Sequence, residues 1–347
     1  MIKLKKIRFA VVGLGHIGKR HAEMIEYNPE AELAAVCDIL PKAECGFQND
    51  EVPFFRSFES LLEANPGIDV VNICTPNGLH ADMAVSALGK GLHTVIEKPL
   101  ALKKTDAERI IHESLVADKH VFCVMQNRYS PPSVWLKKIL TERLLGEICL
   151  VQVNCYWNRD DRYYKKDGWH GSAQMDGGTL FTQFSHFIDM LYWLFGDIKN
   201  ISGKFSDFNH SLTTDFEDSG IVNFEFVNGG IGCINYSTSV FDLNLESSIT
   251  IIGEKGTVKV AGQYMNEVEY VHIKDYQPEK LPPSNPPNDY GTYKGSAQNH
   301  NFVVQNVIDK LTSNRPITTN ALEGMKVVEI IERIYEARDK IWKKKRQ

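Results

Sequence analysis

The 347-residue chain sets 39 Lys and Arg against 44 Asp and Glu, so it lacks the positive excess that would draw a nucleic acid or an anionic membrane to its surface. No nucleic-acid partner is expected. It also lacks a bilayer-spanning hydrophobic run: the apolar stretch in MIKLKKIRFAVVGLG is cut at Gly13 and Gly15, with no small-residue cleavage pattern behind it. No membrane association is expected, and a cytoplasmic setting follows. Seven cysteines are scattered without CxxC spacing or histidines at metal-ligand intervals, which argues against a disulfide framework and against a metal site. They read as reduced, mostly buried thiols. Internal repeats are absent, and proline and glycine crowd together in one long stretch only, residues 278–295. That stretch has two open readings, a disordered linker or a binding loop and interface arm.

What is present divides at about residue 125. Before it, short apolar β-branched runs at 7–12, 33–37, 70–74, 94–96 and 121–125 alternate with amphipathic helical patterns at 17–27, 80–88 and 106–116. Continuous apolar runs are what burial on both faces of a parallel sheet demands, so an α/β doubly wound domain of the Rossmann type is expected over 1–125. After it come helical patterns at 136–145 and 180–194, then strands at 148–157, 198–205, 219–226, 230–238, 247–252 and 256–261 joined by tight turns. Consecutive strands with such turns favour antiparallel pairing, so 126–347 is expected to be an α+β domain with a largely antiparallel open sheet. Helices at 301–311 and 322–340 close the chain, the second able to pack back on the first domain.

Gly13-Leu14-Gly15-His16-Ile17-Gly18 follows a strand and opens a helix, the context in which GxGxxG carries meaning. The first glycine allows the tight turn, the second lets backbone approach a pyrophosphate, and the third lets helix and strand close together. The anion would rest on the helix N-terminus. Asp38 lies 20 residues past Gly18, where a carboxylate can accept from both ribose hydroxyls, and Ile39-Leu40-Pro41 after it supply no Arg for a 2′-phosphate. NAD rather than NADP is the expected cofactor. Thr75-Pro76-Asn77-Gly78-Leu79-His80 and Glu97-Lys98-Pro99 fall at the carboxyl ends of two further strands, where ligands of such sheets bind, and Lys98 would face the nicotinamide.

Together the GxGxxG start, the TPNGLH turn and EKP resemble the Gfo/Idh/MocA oxidoreductases, and the likeness continues through Asp176-Gly177-Gly178 and Ser185-His186-Phe187-Ile188-Asp189. One departure is Thr182, which stands where that family usually has Asp, with Gln183 beside it. The segments QNRY, NCYWNRDDRYY, GGTLFTQFSHFIDMLYWL, NLESSITIIGEKGTVKV and NDYG are similar to the WlbA-type sugar-nucleotide dehydrogenases within the family. The resemblance implies a cis bond before Pro99 and cofactor contacts from Gly13, Gly15, His16, Ile17, Gly18, Asp38, Thr75, Asn77, His80, Glu97, Lys98, Gln126 and Trp169. It implies a sugar-nucleotide substrate held by Lys98, Asn127, Arg128, Asn158, Arg159, Tyr163, Thr182, Gln183 and His186. It further implies oxidation of the 3-hydroxyl of UDP-N-acetylglucosaminuronic acid, and a homodimer or homotetramer that covers the open sheet.

Alcohol oxidation needs a hydride acceptor, a proton acceptor and a donor to the developing alkoxide. Histidine suits the second role because it titrates near working pH, and a lysine suits the third. His186 and Lys98 are the candidates. The alternative for His186 is a core histidine bonded to a carbonyl. Asp189, one turn on, either orients the imidazole or caps a local network. Arg128, Arg159, Arg162 and Lys165, interleaved with Tyr156, Trp157, Tyr163 and Tyr164, suit the phosphates, carboxylate and rings of a sugar nucleotide, or else serve as solvated cover or subunit contact. His21, His80 and His170 have no such standing as acids or bases, and helix-start packing and cofactor hydrogen bonds account for them. Rival functions on the same residues are an inositol or other sugar dehydrogenase, an NAD-dependent glycosidase, and a dinucleotide-binding sensor.

Overall fold

The computed structural model describes residues 5–166 and 168–345. The chain forms two compact units, one holding the chain up to Met125 together with His300–Val328, the other Gln126–Asn299 and the chain from Glu329 onward. The crossing after Met125 falls where the texture of the sequence changes. The return of 300–328 to the first unit replaces the expected unbroken second domain.

In the first unit the order is β1 (Ile7–Val12), α1 (His16–Tyr27), β2 (Ala31–Cys37), α2 (Lys42–Cys45), β3 (Phe54–Phe55), α3 (Phe58–Ala64), β4 (Val70–Ile73), α4 (His80–Gly89), β5 (His93–Ile96), α5 (Lys104–Val116) and β6 (Val121–Cys123). The six strands pair in parallel in the order β3-β2-β1-β4-β5-β6, so the winding reverses between β1 and β4. That reversal opens the crevice in which doubly wound sheets bind ligands. Phe9, Ala10, Val11, Val70, Val71, Ile73 and Ile96 are wholly or almost wholly buried, which is why these strands carry no polar alternation. The short α2, β3 and α3 escape a periodicity reading because none is long enough to repeat a pattern.

The second unit contains α6 (Pro131–Thr141), β7 (Ile148–Tyr156), α7 (Thr179–Thr182), α8 (Ser185–Phe195), β8 (Ile198–Ser206), β9 (Ser219–Phe226), β10 (Ile231–Ser237), β11 (Glu246–Gly253), β12 (Gly256–Ala261), β13 (Glu267–Ile273), β14 (Pro287–Asp289) and β15 (Lys294–Ala297). Its seven-stranded sheet runs β13-β12-β11-β7-β10-β9-β8, antiparallel except for the parallel pair β7 and β10 at its centre. Alternating burial gives the sheet one covered face, where Phe184 meets Trp157 and Tyr236, and Phe195 meets Phe226. Each such ring contributes about 1.5–3 kcal/mol on burial. Gly220 is needed there because a Cβ would stand 2.5 Å from the Tyr236 ring.

The expected single helix over 180–194 is two helices. Thr182 turns its hydroxyl to Asp176 outside the helix, and Phe184 leaves the helical region with φ −118° and ψ 9° before Ser185 restarts it. Pro131 starts α6 five residues before the expected 136, as proline can in a first turn. Residues 278–295 are not a featureless linker: they contain β14, the following turn and the start of β15. Then come α9 (His300–Ser313) in the first unit, tied to α1 through Asn28 and Gln305 at 2.9 Å, and α10 (Ala321–Lys345), which runs through both units.

Candidate active site

In the first unit each motif singled out before residue 125 begins within two residues of the carboxyl end of a parallel strand. Gly13 has φ +88°, and a Cβ on it would stand 2.6 Å from the Cys74 carbonyl oxygen; one on Gly18 would stand 1.7 Å from that of Gly13. Both positions therefore require glycine. Gly15 differs, for nothing lies within 4 Å of where its Cβ would be, and it enters α1 without a side-chain cap. The turn thus leaves open space over the exposed residues Gly15 and His16, at the N-terminus of a twelve-residue helix whose first N–H groups point outward. These residues fit a pyrophosphate. Asp38 accepts the Leu14 N–H at 2.6 Å and the Leu40 N–H at 2.8 Å, which fixes its carboxylate beside the same turn, as ribose recognition requires. Ile17 is half-buried on α1.

The other two motifs are braced from beneath. His80 sets Nε2 2.9 Å from the Thr75 carbonyl oxygen and Nδ1 2.8 Å from that of Pro99, joining the TPNGLH turn to EKP. Both ring nitrogens lie against backbone carbonyl oxygens, one of which accepts the ring N–H, so His80 shapes the crevice instead of contacting a cofactor through them. Burial lowers its pKa. The Lys98-Pro99 bond is cis. Glu97, expected against the cofactor, turns inward: it is buried, its Oε1 lies 2.9 Å from His21 Nε2 and 3.5 Å from His300 Nε2, and its Oε2 accepts the Lys98 N–H at 3.1 Å. Burial would raise its pKa, but the two imidazoles hold it well below the usual carboxylate range. Asn77 is buried, and Thr75 and Lys98 are half-buried on the same edge.

In the second unit the expected substrate residues form two networks. His186 is 2% exposed on α8, and Asp189 one turn later accepts Arg128 Nε at 2.8 Å and Nη2 at 2.6 Å, with both side chains wholly buried. The guanidinium also faces Trp193 at 5.2 Å. Arg128, expected to meet substrate, instead neutralises Asp189, which leans Asp189 toward the local-network reading. Gln126 and Asn127 lie on the same buried turn; Asn127 Oδ1 accepts from Ser296 and the Gln126 carbonyl from Asn299.

The second network centres on Arg159. It is 2% exposed, donating Nε to Gln183 Oε1 at 2.7 Å, Nη1 to the Asn158 carbonyl at 2.5 Å and Nη2 to the Lys294 carbonyl at 3.1 Å. Trp157, Tyr163 and Tyr293 surround it at 4.9–5.2 Å from their ring centres. Gln183 Nε2 donates to the Tyr163 hydroxyl at 2.8 Å, so Arg159, Gln183 and Tyr163 are one cluster. Burial presses the Arg159 pKa down, because these acceptors are neutral. Asn158 is held by Val240 and Asn244, and the Thr182 hydroxyl by Asp176. Trp157 is core, donating to Ser247; Tyr164 is buried against His210; Arg162 is surface cover paired with Asp160 and Asp242. Trp169 stacks on His170 at 3.9 Å.

Two family descriptions match the chain: an oxidoreductase family NAD-binding Rossmann fold over residues 7–125 and an oxidoreductase family C-terminal alpha/beta domain over 137–341, both Gfo/Idh/MocA. The chain belongs to the Gfo/Idh/MocA oxidoreductases. Its first unit is accordingly an NAD-binding domain. Among solved structures of this family, the WlbA dehydrogenase of Bordetella pertussis, in complex with NADH and UDP-GlcNAcA, is similar at TM-score 0.86 and 31% identity, covering 96% of this chain and 97% of that one. The WlbA dehydrogenase of Chromobacterium violaceum, with the same two ligands, is similar at TM-score 0.84 and 31% identity over 98% and 97%. A myo-inositol 2-dehydrogenase of Thermotoga maritima is 24% identical over 73% of this chain and 74% of its own length. No helix among the described residues is long and apolar enough to cross a membrane.

The Gfo/Idh/MocA motifs did not point to Asn72, His300, Asn244, Tyr293 or Lys294. All five act through contacts distant in sequence, and the signals near them were the quoted segments NLESSITIIGEKGTVKV, which Asn244 opens, and NDYG, which ends two residues before Tyr293. Cys37, Cys45, Cys74, Cys123 and Cys155 are buried; burial pushes the Cys37 thiol up to about 12, far from a nucleophile's range. Cys149 is exposed. Asp207, His210 and Asp218 converge, but Asp218 Oδ2 already accepts the Phe208 and Asn209 N–H groups at 2.8 Å, which accounts for the cluster as a loop clamp.

Proposed function

We propose that the protein is an NAD-dependent dehydrogenase that oxidises the 3-hydroxyl of UDP-N-acetylglucosaminuronic acid to the 3-keto sugar nucleotide, for surface-polysaccharide synthesis in the cytoplasm. The observation that carries this reading is the likeness, over nearly the whole of both chains, to two WlbA dehydrogenases in complex with NADH and UDP-GlcNAcA. NAD supplies the hydride acceptor when bound. Lys98 donates a hydrogen bond to the hydroxyl oxygen and stabilises its developing negative charge, while His186 accepts the hydroxyl proton as the hydride leaves the same carbon. Gly13, Gly15 and the N-terminus of α1 receive the pyrophosphate, and Asp38 receives the adenosine ribose. Gln183 and Tyr163 present Arg159, whose buried charge has neutral acceptors only, toward an anionic group of the substrate.

A second reading, an inositol dehydrogenase, has the support of the inositol 2-dehydrogenase relatives. Incubating the protein with NAD and either UDP-N-acetylglucosaminuronic acid or myo-inositol separates the two: reduced nicotinamide forms with the uronate on the first reading and with the polyol on the second. Free sugar without net reduction would mark a glycosidase, and no turnover with any sugar a sensor. We further propose a homodimer or homotetramer built on the uncovered sheet face. Ile221, Ile231, Ile252 and Tyr270 lie on that face, each at least 41% exposed. Light scattering on the purified protein checks this, and a monomeric mass refutes it.

A further inference from the structure

The roles assigned above leave three buried titratable side chains of the first unit unused. His21 on α1, Glu97 at the end of β5 and His300 at the start of α9 converge, with ligand-type atoms within 4.8 Å of one another. His21 and His300 meet edge to face at 5.3 Å. Asn72 on β4 donates its Nδ2 to His21 Nδ1 at 2.8 Å, which makes Nδ1 an acceptor and leaves the imidazole proton on Nε2, aimed at Glu97. His21 thus donates to the carboxylate. Its other oxygen receives the backbone N–H of Lys98. A carboxylate with 6% exposure is costly unless it is paired, and this one is paired on both oxygens one residue from the lysine assigned to the alkoxide.

We propose that His21, Glu97 and His300 form a buried positioning cluster that holds an ionised carboxylate behind Lys98, keeping the lysine protonated as a donor and fixing the peptide from which it projects. The inference rests on the donor role given to Lys98 above. The neighbouring charged and titratable groups are Arg20 and His21 from α1, Cys74 after β4, His80 from α4, Lys98 itself and His300 from α9. Of these, His80 is tied to two carbonyl oxygens and the Cys74 thiol is raised well above its ordinary value by burial. Glu97 is the one anion at neutral pH in that set. The far segment carrying His300 returns to the first unit to supply one of its two imidazole partners. Sequence motifs present EKP as a cofactor contact; the geometry divides it, with the glutamate facing inward to act through the lysine.

The test reads Lys98 directly, so it needs no substrate and fails separately from the functional assignment. Competitive acetylation across a pH series, followed by mass spectrometry of the Lys98 peptide, gives the titration midpoint of that amine. Glu97→Gln, which keeps shape and removes charge, lowers the midpoint by about one pH unit, while Glu97→Asp, which keeps charge and shortens the arm, holds it within about 0.3. His300→Gln also leaves it in place, because His21 still supports the carboxylate. A purely structural role would move Asp and Gln alike or neither, and equal midpoints in folded Glu97→Gln and wild type overturn the proposal. If Glu97→Gln fails to fold, the Lys98 midpoint in Glu97→Ala carries the same decision. A stoichiometric metal retained by wild type and lost in His300→Gln would also overturn it, since the cation would then neutralise the carboxylate.

Discussion

The two units treat their expected binding residues in opposite ways. In the first, the glycines, Asp38, the TPNGLH turn and EKP gather on one edge of a parallel sheet. In the second, Arg128 is buried and spent on the Asp189 carboxylate, and Arg159 is buried among neutral acceptors of the same unit. The contrast has a physical source. A dinucleotide site of this kind is made largely by backbone, so the spacing of glycines along one strand-turn-helix specifies it locally. A sugar-nucleotide site is made by side chains, and whether an arginine meets a ligand or a neighbouring carboxylate is settled by residues tens of positions away, as Asp189 is from Arg128.

The sharpest way to break the comparison is at Gly18. Gly18→Ala places a Cβ against the Gly13 carbonyl and should abolish NAD binding, with at least a hundredfold weaker titration by fluorescence, whereas Gly15→Ala, which meets open protein space, should fold normally and lose affinity only through crowding of the phosphate. Equal behaviour of the two would contradict the roles given to the turn. Next in size is Arg128→Met, which strands the buried Asp189 charge and should cost about 3–5 kcal/mol in urea unfolding. Adding Asp189→Leu should restore most of that loss, a result that would not appear if Arg128 stood in a solvent-filled substrate pocket.

Asp38→Ala should raise the affinity for NADP relative to NAD by about tenfold, the worth of removing one carboxylate from a 2′-phosphate's path. Isothermal titration with both dinucleotides measures the ratio, and an unchanged ratio would remove Asp38 from the site. Burial lowers the His93 pKa to about 4 from 6.5, so the unfolded chain binds the proton more tightly and stability falls as pH drops from about 6.5 toward 4. His93→Gln should flatten that part of the pH–stability curve. The smallest effect is expected of Arg162→Ala, whose partners Asp160 and Asp242 are solvent-exposed; its melting temperature should match wild type within scatter.

Much of the first unit was legible because burial on both faces of a parallel sheet writes continuous apolar runs. β1, α1, α4 and β5 begin and end within two residues of expectation. Less of the second unit was. The break between α7 and α8 depends on the Thr182 hydroxyl finding Asp176, and β14 with β15 hides in a proline-rich stretch whose composition suggests a loop. Glu97 was legible as part of a motif but not in its direction, since the imidazole it meets on α9 comes from the far end of the chain.

The central claim, that hydride leaves the third carbon of a uronate sugar for NAD, is tested most directly with UDP-N-acetylglucosaminuronic acid deuterated at that carbon. The account predicts slowed nicotinamide reduction and transfer of the label to the reduced cofactor. Reduction at an undiminished rate with the label left on the sugar, or no reduction in a protein that binds both ligands, would contradict it.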